Sequence, residues 1–284
     1  MTTLTQACRL RHFKQFEFIF GFILTGGIIL LVLCSDLLFQ GMADKINLSA
    51  RLVAPFTQAE HWFGTDPLGR DVLARVVSGG TVSLKVGFIS VMGAVVFGVL
   101  MGLVAGYFRG FFDVIVMRFA DIQLAMPFIL LAITFIAIVG GGLTNMIILL
   151  IISQWVQYAR LVRGSVLSLR DREFIQSARA IGVSHFHILF SHLLPNLIGP
   201  VIVLMTLNVA NNILLESSLT FLGLGVDPLT PSWGGMLANG RTYIQTAWWV
   251  SFFPGIAILL TVLGLNLLGD WLRDTLDPTG RTVK

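Results

Sequence analysis

Apolar stretches of about twenty residues, separated by short polar breaks, run through most of the chain. Stretches of that length can cross a bilayer as helices. The pattern predicts six spans: Phe18–Phe39, Val82–Phe108, Phe119–Val139, Leu143–Ala159, Leu194–Phe221 and Trp248–Leu268. The polar intervals differ in kind. Gln40–Thr81 is long and contains an amphipathic piece, Gly140-Gly141-Gly142 is short and uncharged, Arg160–Ser191 is basic, and Leu222–Ala247 carries Pro228, Pro231 and several glycines. The predicted organisation is a tail at 1–17, a first span at 18–39 and an outer segment with an amphipathic helix at 40–81. A five-span domain at 82–270 follows, with its inner loop at about 160–195, and then a tail at 271–284. The fold class is an all-α membrane protein with six transmembrane helices.

Composition supports this picture. Only 12% of the 284 residues are charged and 55% are hydrophobic, with mean hydropathy +0.84. Soluble domains carry about a quarter charged residues. The apolar start, Phe18–Leu33, is too long for a signal-peptide core and no small-x-small cleavage site follows it, so it reads as an uncleaved span. Net charge is +4, and the basic residues are not interleaved with aromatics, which argues against nucleic-acid binding. With the N-terminus inside, thirteen of the 19 Lys and Arg fall on inner segments. That bias places both termini in the cytoplasm. Trp248 and Trp249 suit an interfacial anchor. Cys8 and Cys34, about 39 Å apart if helical, are expected to form no bridge.

The inner loop is patterned, not loose. Ser168 followed by Asp171 reads as a capping box starting a helix near Leu169. Phe174, Ile175, Ala178 and Ile181 recur at helical spacing, and Gly182 suits a left-handed helix end. Ser184 is placed to cap a second helix whose apolar face is Phe186, Leu189, Phe190 and Leu193, with Pro195 at the entry to the fifth span. Two short amphipathic helices therefore meet at Gly182. Their apolar faces pack either on the protein's own helices, on lipid, or on a partner.

This stretch resembles the coupling motif of bacterial ABC importer permeases: Glu-Ala-Ala, three residues, Gly, nine residues, Ile-x-Leu-Pro. Here it reads Gln176-Ser177-Ala178, Gly182 and His192-Leu193-Leu194-Pro195, with the Glu, the first Ala and the Ile replaced. A second string, Phe63-Gly64-Thr65-Asp66-Pro67-Leu68-Gly69-Arg70-Asp71, resembles one branch of these permeases: the second permease of dipeptide, oligopeptide and nickel importers. Phe221-Leu222-Gly223-Leu224-Gly225 with Pro231-Ser232-Trp233-Gly234, and Asn266-Leu267-Leu268-Gly269-Asp270 with Leu276-Asp277-Pro278, agree with it. The resemblance covers about Ala59 to Pro278. It implies a type I ABC importer permease fold with cytoplasmic coupling helices in the bacterial inner membrane. Coupling to an ATPase would fall to Glu173, Gln176, Ser177, Ala178, Arg179, Gly182, Val183 and Ser184. The implied partners are a homologous second permease, two ATP-binding subunits and a periplasmic or lipid-anchored solute-binding protein. The implied solutes are di- and oligopeptides, with nickel or another metal chelate as the alternative.

The outer string also has its own reading. Asp66 as N-cap with Pro67 at N1 predicts a helix start. Asp71 and Arg75 are spaced to pair, and Phe63 to staple onto the first turn. Gly64, Thr65, Asp66, Gly69, Arg70 and Asp71 form the candidate outer motif.

Inside the spans, Asn208, Asn212 and Glu216 fall at i, i+4, i+8, with Asn211 beside them. Such a stripe either walls a hydrophilic solute path or hydrogen-bonds between helices. Glu216 lies far enough along its span to reach the outer headgroups. Gly98, Gly102 and Gly106 permit close approach of another helix. Pro127 and Pro200 are placed to kink their spans. Arg118 and Asp121 are spaced to pair.

No chemistry of covalent change is visible. None of the four lysines, Lys14, Lys45, Lys85 and Lys284, follows a glycine, so no P-loop is present. ATP and Mg are expected on partner subunits, with no cofactor on this chain and no catalytic residue. His185, His187 and His192 lack the spacing of a metal site, and none is expected. The competing readings are a proton-coupled secondary transporter using Glu216, Asp121 or Asp270, and a membrane-embedded enzyme. The missing inverted repeat opposes the first, and the missing acid–base or metal cluster opposes the second.

Overall fold

A computed structural model describes residues 2–227 and 229–276, with side chains from Glu17 onward. Pro228, Asp277, Pro278, Arg281 and Lys284, and the side chains of Cys8, Arg9, Arg11 and Lys14, lie outside the described residues. Among the described residues the chain is helical and has no strand, only an isolated antiparallel bridge between Thr65 and Asp71.

The helices are α1 (Thr2–Leu33), α2 (Ser35–Phe39), α3 (Val72–Phe108), α4 (Gly110–Ala125), α5 (Phe128–Val139), α6 (Leu143–Leu169) and α7 (Glu173–Ala180). They continue as α8 (His185–His187), a π turn at Ile188–Leu193, α9 (Leu194–Phe221), α10 (Trp233–Gly240) and α11 (Trp249–Leu276). Among the described residues, four helical stretches are long and apolar enough to cross a bilayer: α3, α6, the continuous run His185–Phe221, and α11. A fifth is the broken pair α4 and α5, bent by 96°. The remaining expected span, Phe18–Phe39, corresponds to the shorter apolar helix Glu17–Leu33 within α1, followed by the separate α2.

The break in the third span goes well beyond a kink. The residue before a proline is driven to extended backbone, and Met126 (ψ 124°) is followed by Pro127 (ψ 132°), so two consecutive extended residues turn the chain. The second span also begins earlier than expected, at Val72, because Asp71 is the residue that caps it.

Helices α3 and α6 run parallel and form the centre of the bundle. The glycine row accounts for their closeness: a Cβ on Gly98 would lie 2.4 Å from the Trp155 carbonyl oxygen, and one on Gly102 would lie 2.5 Å from that of Ala159. On Gly106 it would meet Val166 Cβ at 2.9 Å. Helix α9 packs antiparallel against both, burying Ile213 and Val209 with Val91, Tyr158 and Val162 in one apolar core. Helix α1 lies outermost, seated on α11 through Gly21 against Leu267 and through Phe18 on Trp271, ring centroids 4.1 Å apart.

Candidate functional site

Four groups of residues carry the polar and exposed features of the bundle. The first is the link between α6 and α9. Helix α6 continues through Ser168 to Leu169, so no capping box starts a helix there. The chain turns at Arg170–Arg172, and α7 begins at Glu173 with no side-chain cap. Helix α7 ends as its sequence indicates. Gly182 has φ +81°, its N–H donates to Arg179 O at 3.0 Å, and the Val183 N–H donates to Ala178 O at 3.0 Å. These are the two bonds of a Schellman close. Ser184 then caps α8, its Oγ accepting from the His187 N–H at 3.3 Å. The second short helix is not separate, however. It runs through the π turn into α9, with the Leu194 N–H donating to Leu189 O. Pro195 has no N–H to give, and the widened turn takes up that loss. The Asn196 side chain donates to the carbonyl of His192 at 2.6 Å.

The two faces of this link differ. Ile175, Ala178, Ile188, Leu189 and Leu193 are buried in the main core. Phe174, Ile181 and Phe186 are exposed, at 45%, 80% and 71%. Of the coupling residues expected from sequence, Glu173, Gln176, Ser177, Gly182 and Ser184 are exposed, Arg179 and Val183 are half-buried, and Ala178 is buried. Tyr107, near the end of α3, binds the link to the bundle. Its hydroxyl lies 2.7 Å from His185 Nδ1, the Arg179 guanidinium sits 4.6 Å over its ring, and its carbonyl accepts from Arg170 Nη1 at 2.8 Å. Tyr107 was not among the residues singled out from sequence. Its only signal there is an aromatic placed directly after the glycine row.

The second group is the stripe on α9. Asn208 is 6% exposed, and Asn212 and Glu216 are 0% exposed. They form three rungs to α3 and α6. Asn208 Nδ2 donates to Tyr158 Oη (3.0 Å) and Gln157 Oε1 (3.2 Å). Asn212 Nδ2 donates to Ser90 Oγ (2.7 Å), and Asn212 Oδ1 accepts from Gln154 Nε2. The Glu216 carboxylate accepts from Ser83 Oγ (2.8 Å), Thr220 Oγ1 (3.0 Å) and Ser217 Oγ (3.3 Å). Buried polar groups require such partners, and the rungs hold the three helices in register. Glu216 therefore does not reach the headgroups, and the stripe's polar atoms are engaged between helices. Asn211, beside it, is exposed.

The third group surrounds the broken span, where Gln123, Ser153, Gln154, Gln157 and Asn211 line a cavity of about 290 Å³. Gln123 is held by two bonds, donating to Ser153 O (2.9 Å) and accepting from Trp155 Nε1 (2.6 Å). Asp121, on the same broken span, pairs with Arg160 at 2.6 Å and not with Arg118. Helix α6 brings Arg160 alongside, a contact that spacing along α4 does not reveal.

The fourth group is the outer motif, and here the predicted helix start is wrong. Asp66 is not an N-cap. Its Oδ1 accepts from the Leu68 and Arg70 N–H groups (2.8 and 2.9 Å), folding Pro67–Gly69 into a turn, and its Oδ2 takes Arg70 Nε at 2.6 Å. Gly69, at φ +73°, lies against the Asn47 backbone, where no Cβ fits. Asp71 caps α3 through the Ala74 N–H at 2.7 Å and pairs with His61 Nδ1 at 2.9 Å. Arg75 instead approaches Asp66 and Asp44, each at 3.7 Å, and donates to Ala43 O at 3.0 Å. Thr65 donates to Ala50 O (2.5 Å) and accepts from the Val53 N–H (2.8 Å), and Gly64, at φ +75°, packs beside Val53. Phe63 stacks on Phe253 at 3.9 Å and does not staple α3. Trp249 is buried, donating to Thr65 O at 3.1 Å, which leaves Trp248 as the exposed ring of that pair. Residues 40–71 are thus a folded network of turns locked to α11, in place of the amphipathic helix expected there.

Comparison with known proteins adds a family to this geometry. Residues 98–281 match the model of the binding-protein-dependent transport system inner membrane component family. The chain is 46% identical over 260 residues to the dipeptide transport system permease protein DppC of Alkalihalophilus pseudofirmus, covering 92% of this chain and 85% of that one. It is 45% identical over 221 residues to the di/tripeptide transport system permease protein DppC of Pseudomonas aeruginosa, covering 78% and 73%. It is 47% identical over 219 residues to the glutathione transport system permease protein GsiD of Escherichia coli, covering 77% and 72%. A chain of the MetNI methionine ABC transporter, solved in an inward-facing conformation, superposes with TM-score 0.58 at 20% identity over 72% of this chain and 96% of that one. The fold is that of a type I ABC importer permease. With the helix–Gly182–helix link on one side of the bundle and sequence identity running through it, the chain belongs to the family of binding-protein-dependent transport system inner membrane components.

Proposed function

We propose that this chain is one of two homologous permeases that together form the membrane pore of an ABC importer for di- and oligopeptides. Two separate ATP-binding subunits carry the ATP and Mg, and one of them seats on this chain's exposed apolar face formed by Phe174, Ile181 and Phe186. A periplasmic or lipid-anchored binding protein delivers solute at the opposite side, where residues 40–71 are folded. Both termini face the cytoplasm, in keeping with the Lys and Arg bias. The relatives named above carry dipeptide, di/tripeptide and glutathione in their names, which favours a peptide over nickel or another metal chelate.

One observation carries the reading. The α7–Gly182–α8 link is locked into the bundle on one face and apolar and exposed on the other. An element of that kind transmits displacement between a soluble partner and the spans, because packed elements move as units. Tyr107 passes that displacement to α3, and α3 passes it to α6 and α9 through the glycine row and the polar rungs.

The test is cross-linking in the purified complex from cysteines placed by Ile181→Cys and Phe186→Cys. The expected product joins this chain to an ATP-binding subunit. A membrane complex in which no ATPase contacts residues 170–192 refutes the proposal, as does transport by the isolated chain without ATP. Peptide affinity of the cognate binding protein tests the solute class.

A further inference from the structure

A buried acceptor faces the break in the third span. Gln154 is 3% exposed, and its Oε1 has no hydrogen-bond partner among the described residues. The orientation of its amide is dictated by a relay. Ser90 Oγ donates its only hydrogen to Val86 O at 2.5 Å, so it must accept from Asn212 Nδ2 at 2.7 Å. Asn212 Oδ1 must then accept from Gln154 Nε2, which leaves Gln154 Oε1 as the end of the chain. A buried carbonyl oxygen without a donor is costly, and such a group calls for an explanation.

Gln154 lines the cavity of about 290 Å³ at the break, with Gln123, Ser153, Gln157 and Asn211. No charged side chain lines it. Asn211 is exposed and makes no hydrogen bond among the described residues, and Gln157 uses only its Oε1. Carboxamides both donate and accept, as peptide bonds do. The backbone at the break adds to this. Pro127 gives α5 no side-chain cap, so the first-turn N–H groups of this 12-residue helix are open beside Met126 and Phe128, which also line the cavity. Irregular backbone at membrane depth is tolerated where it lines a wet cavity.

We propose that this cavity is a transient subsite for the main chain of a translocating peptide: Gln154 Oε1 accepts from a peptide N–H, and Asn211 and Gln157 bond the neighbouring amide groups. The inference rests on the peptide reading above and deepens it. Amide-to-amide pairing reads what all short peptides share and ignores their side chains. The uncharged lining passes acidic and basic residues alike.

The test compares a dipeptide with its ester analogue, which lacks the peptide N–H, in the whole ATP-driven complex in proteoliposomes. Both are supplied at concentrations that saturate the binding protein. The variants are Gln154→Met and, because loss of the relay risks misfolding, the exposed Asn211→Leu. The expected result is that wild type moves the amide about tenfold faster than the ester, and that each variant lowers amide transport toward the ester rate while binding-protein-stimulated ATPase activity persists. Upstream selection by the binding protein is the same in all three complexes, so a change in the ratio belongs to this chain. An unchanged amide-to-ester ratio in both variants overturns the subsite and leaves the peptide reading intact. A wild-type complex that moves no peptide overturns that reading and the subsite with it.

Discussion

The contact between α3 and α6 makes a sharp prediction about a single methyl group. In Gly98→Ala the new Cβ would lie 2.4 Å from the Trp155 carbonyl oxygen, with Tyr158 Cβ at 2.7 Å. An ordinary contact is roughly 3.4 Å, so the helices must separate locally by about 1 Å. A backbone carbonyl cannot rotate away as a side-chain tip can. Overpacking of this kind costs about 1–3 kcal/mol. The upper half of that range is expected, because Tyr158 also carries a rung to Asn208. The matched control is Gly164→Ala on α6, where nothing lies within 4 Å. There the same methyl should stabilise by about 0.5–1 kcal/mol through helix propensity alone. The two substitutions are chemically identical, so the expected gap of about 3 kcal/mol isolates the contact. The assay is thermal unfolding of the purified permease in detergent, followed by size-exclusion fluorescence. Adding Gly102→Ala to Gly98→Ala should cost less than the sum of the two, since helices already apart no longer clash at the second site. Equal melting of the Gly98 and Gly164 variants would refute the close-packing account.

Other expectations concern separate parts of the molecule. Asp66→Asn should destabilise by about 3–5 kcal/mol, because it leaves the buried Arg70 and Arg75 without their shared carboxylate; proteolysis of residues 40–71 in intact complex should rise in step with the loss. Glu216→Gln should keep the hydrogen bond to Ser83 and express well, whereas Glu216→Leu strands buried hydroxyls at about 1–3 kcal/mol and should lower the monodisperse yield. Tyr107→Phe removes only the hydroxyl bonded to His185 and should leave assembly intact while reducing solute moved per ATP hydrolysed; unchanged coupling would remove Tyr107 from the transmission path. Cysteines at Phe56 and Ile181, in a background with both native cysteines replaced (Cys8→Ser and Cys34→Ser), should react with an impermeant maleimide from opposite sides of the membrane, and labelling from the same side would overturn the orientation.

A continuous set of contacts joins the α7–Gly182–α8 link to the rest of the bundle. It passes through Tyr107 to α3, along the glycine row to α6, and through the rungs at Ser83, Ser90 and Gln154 to α9. The broken span α4–α5 lies beside these three helices and is tied to α6 through Asp113 with Arg163, Asp121 with Arg160 and Gln123 with Ser153 and Trp155.

Sequence alone determined what depends on neighbours within a few positions along the chain. The apolar spans, the left-handed close at Gly182, the Ser184 cap and the close approach at the glycine row all rest on backbone chemistry or helical period; the close, the cap and the glycine contact are where the pattern put them, while the spans follow the apolar runs except for the earlier start of α3 and the break at Pro127. What failed was every pairing inferred from spacing on one element. Asp71 was matched with Arg75 and Arg118 with Asp121, yet Asp71 is held by His61, Arg75 by Asp66 and Asp44, and Asp121 by Arg160 from α6. The helix start at Asp66 failed for a related reason: a carboxylate between two arginines in a dry turn gains more from Arg70 than from capping. Which face of the α9 stripe met helices and which met the cavity was likewise beyond the period, since Asn211 and Asn212 are adjacent in sequence. Only the approach of α3 and α6 decides that one is buried and the other exposed, because burial is a property of the neighbours brought up by the fold.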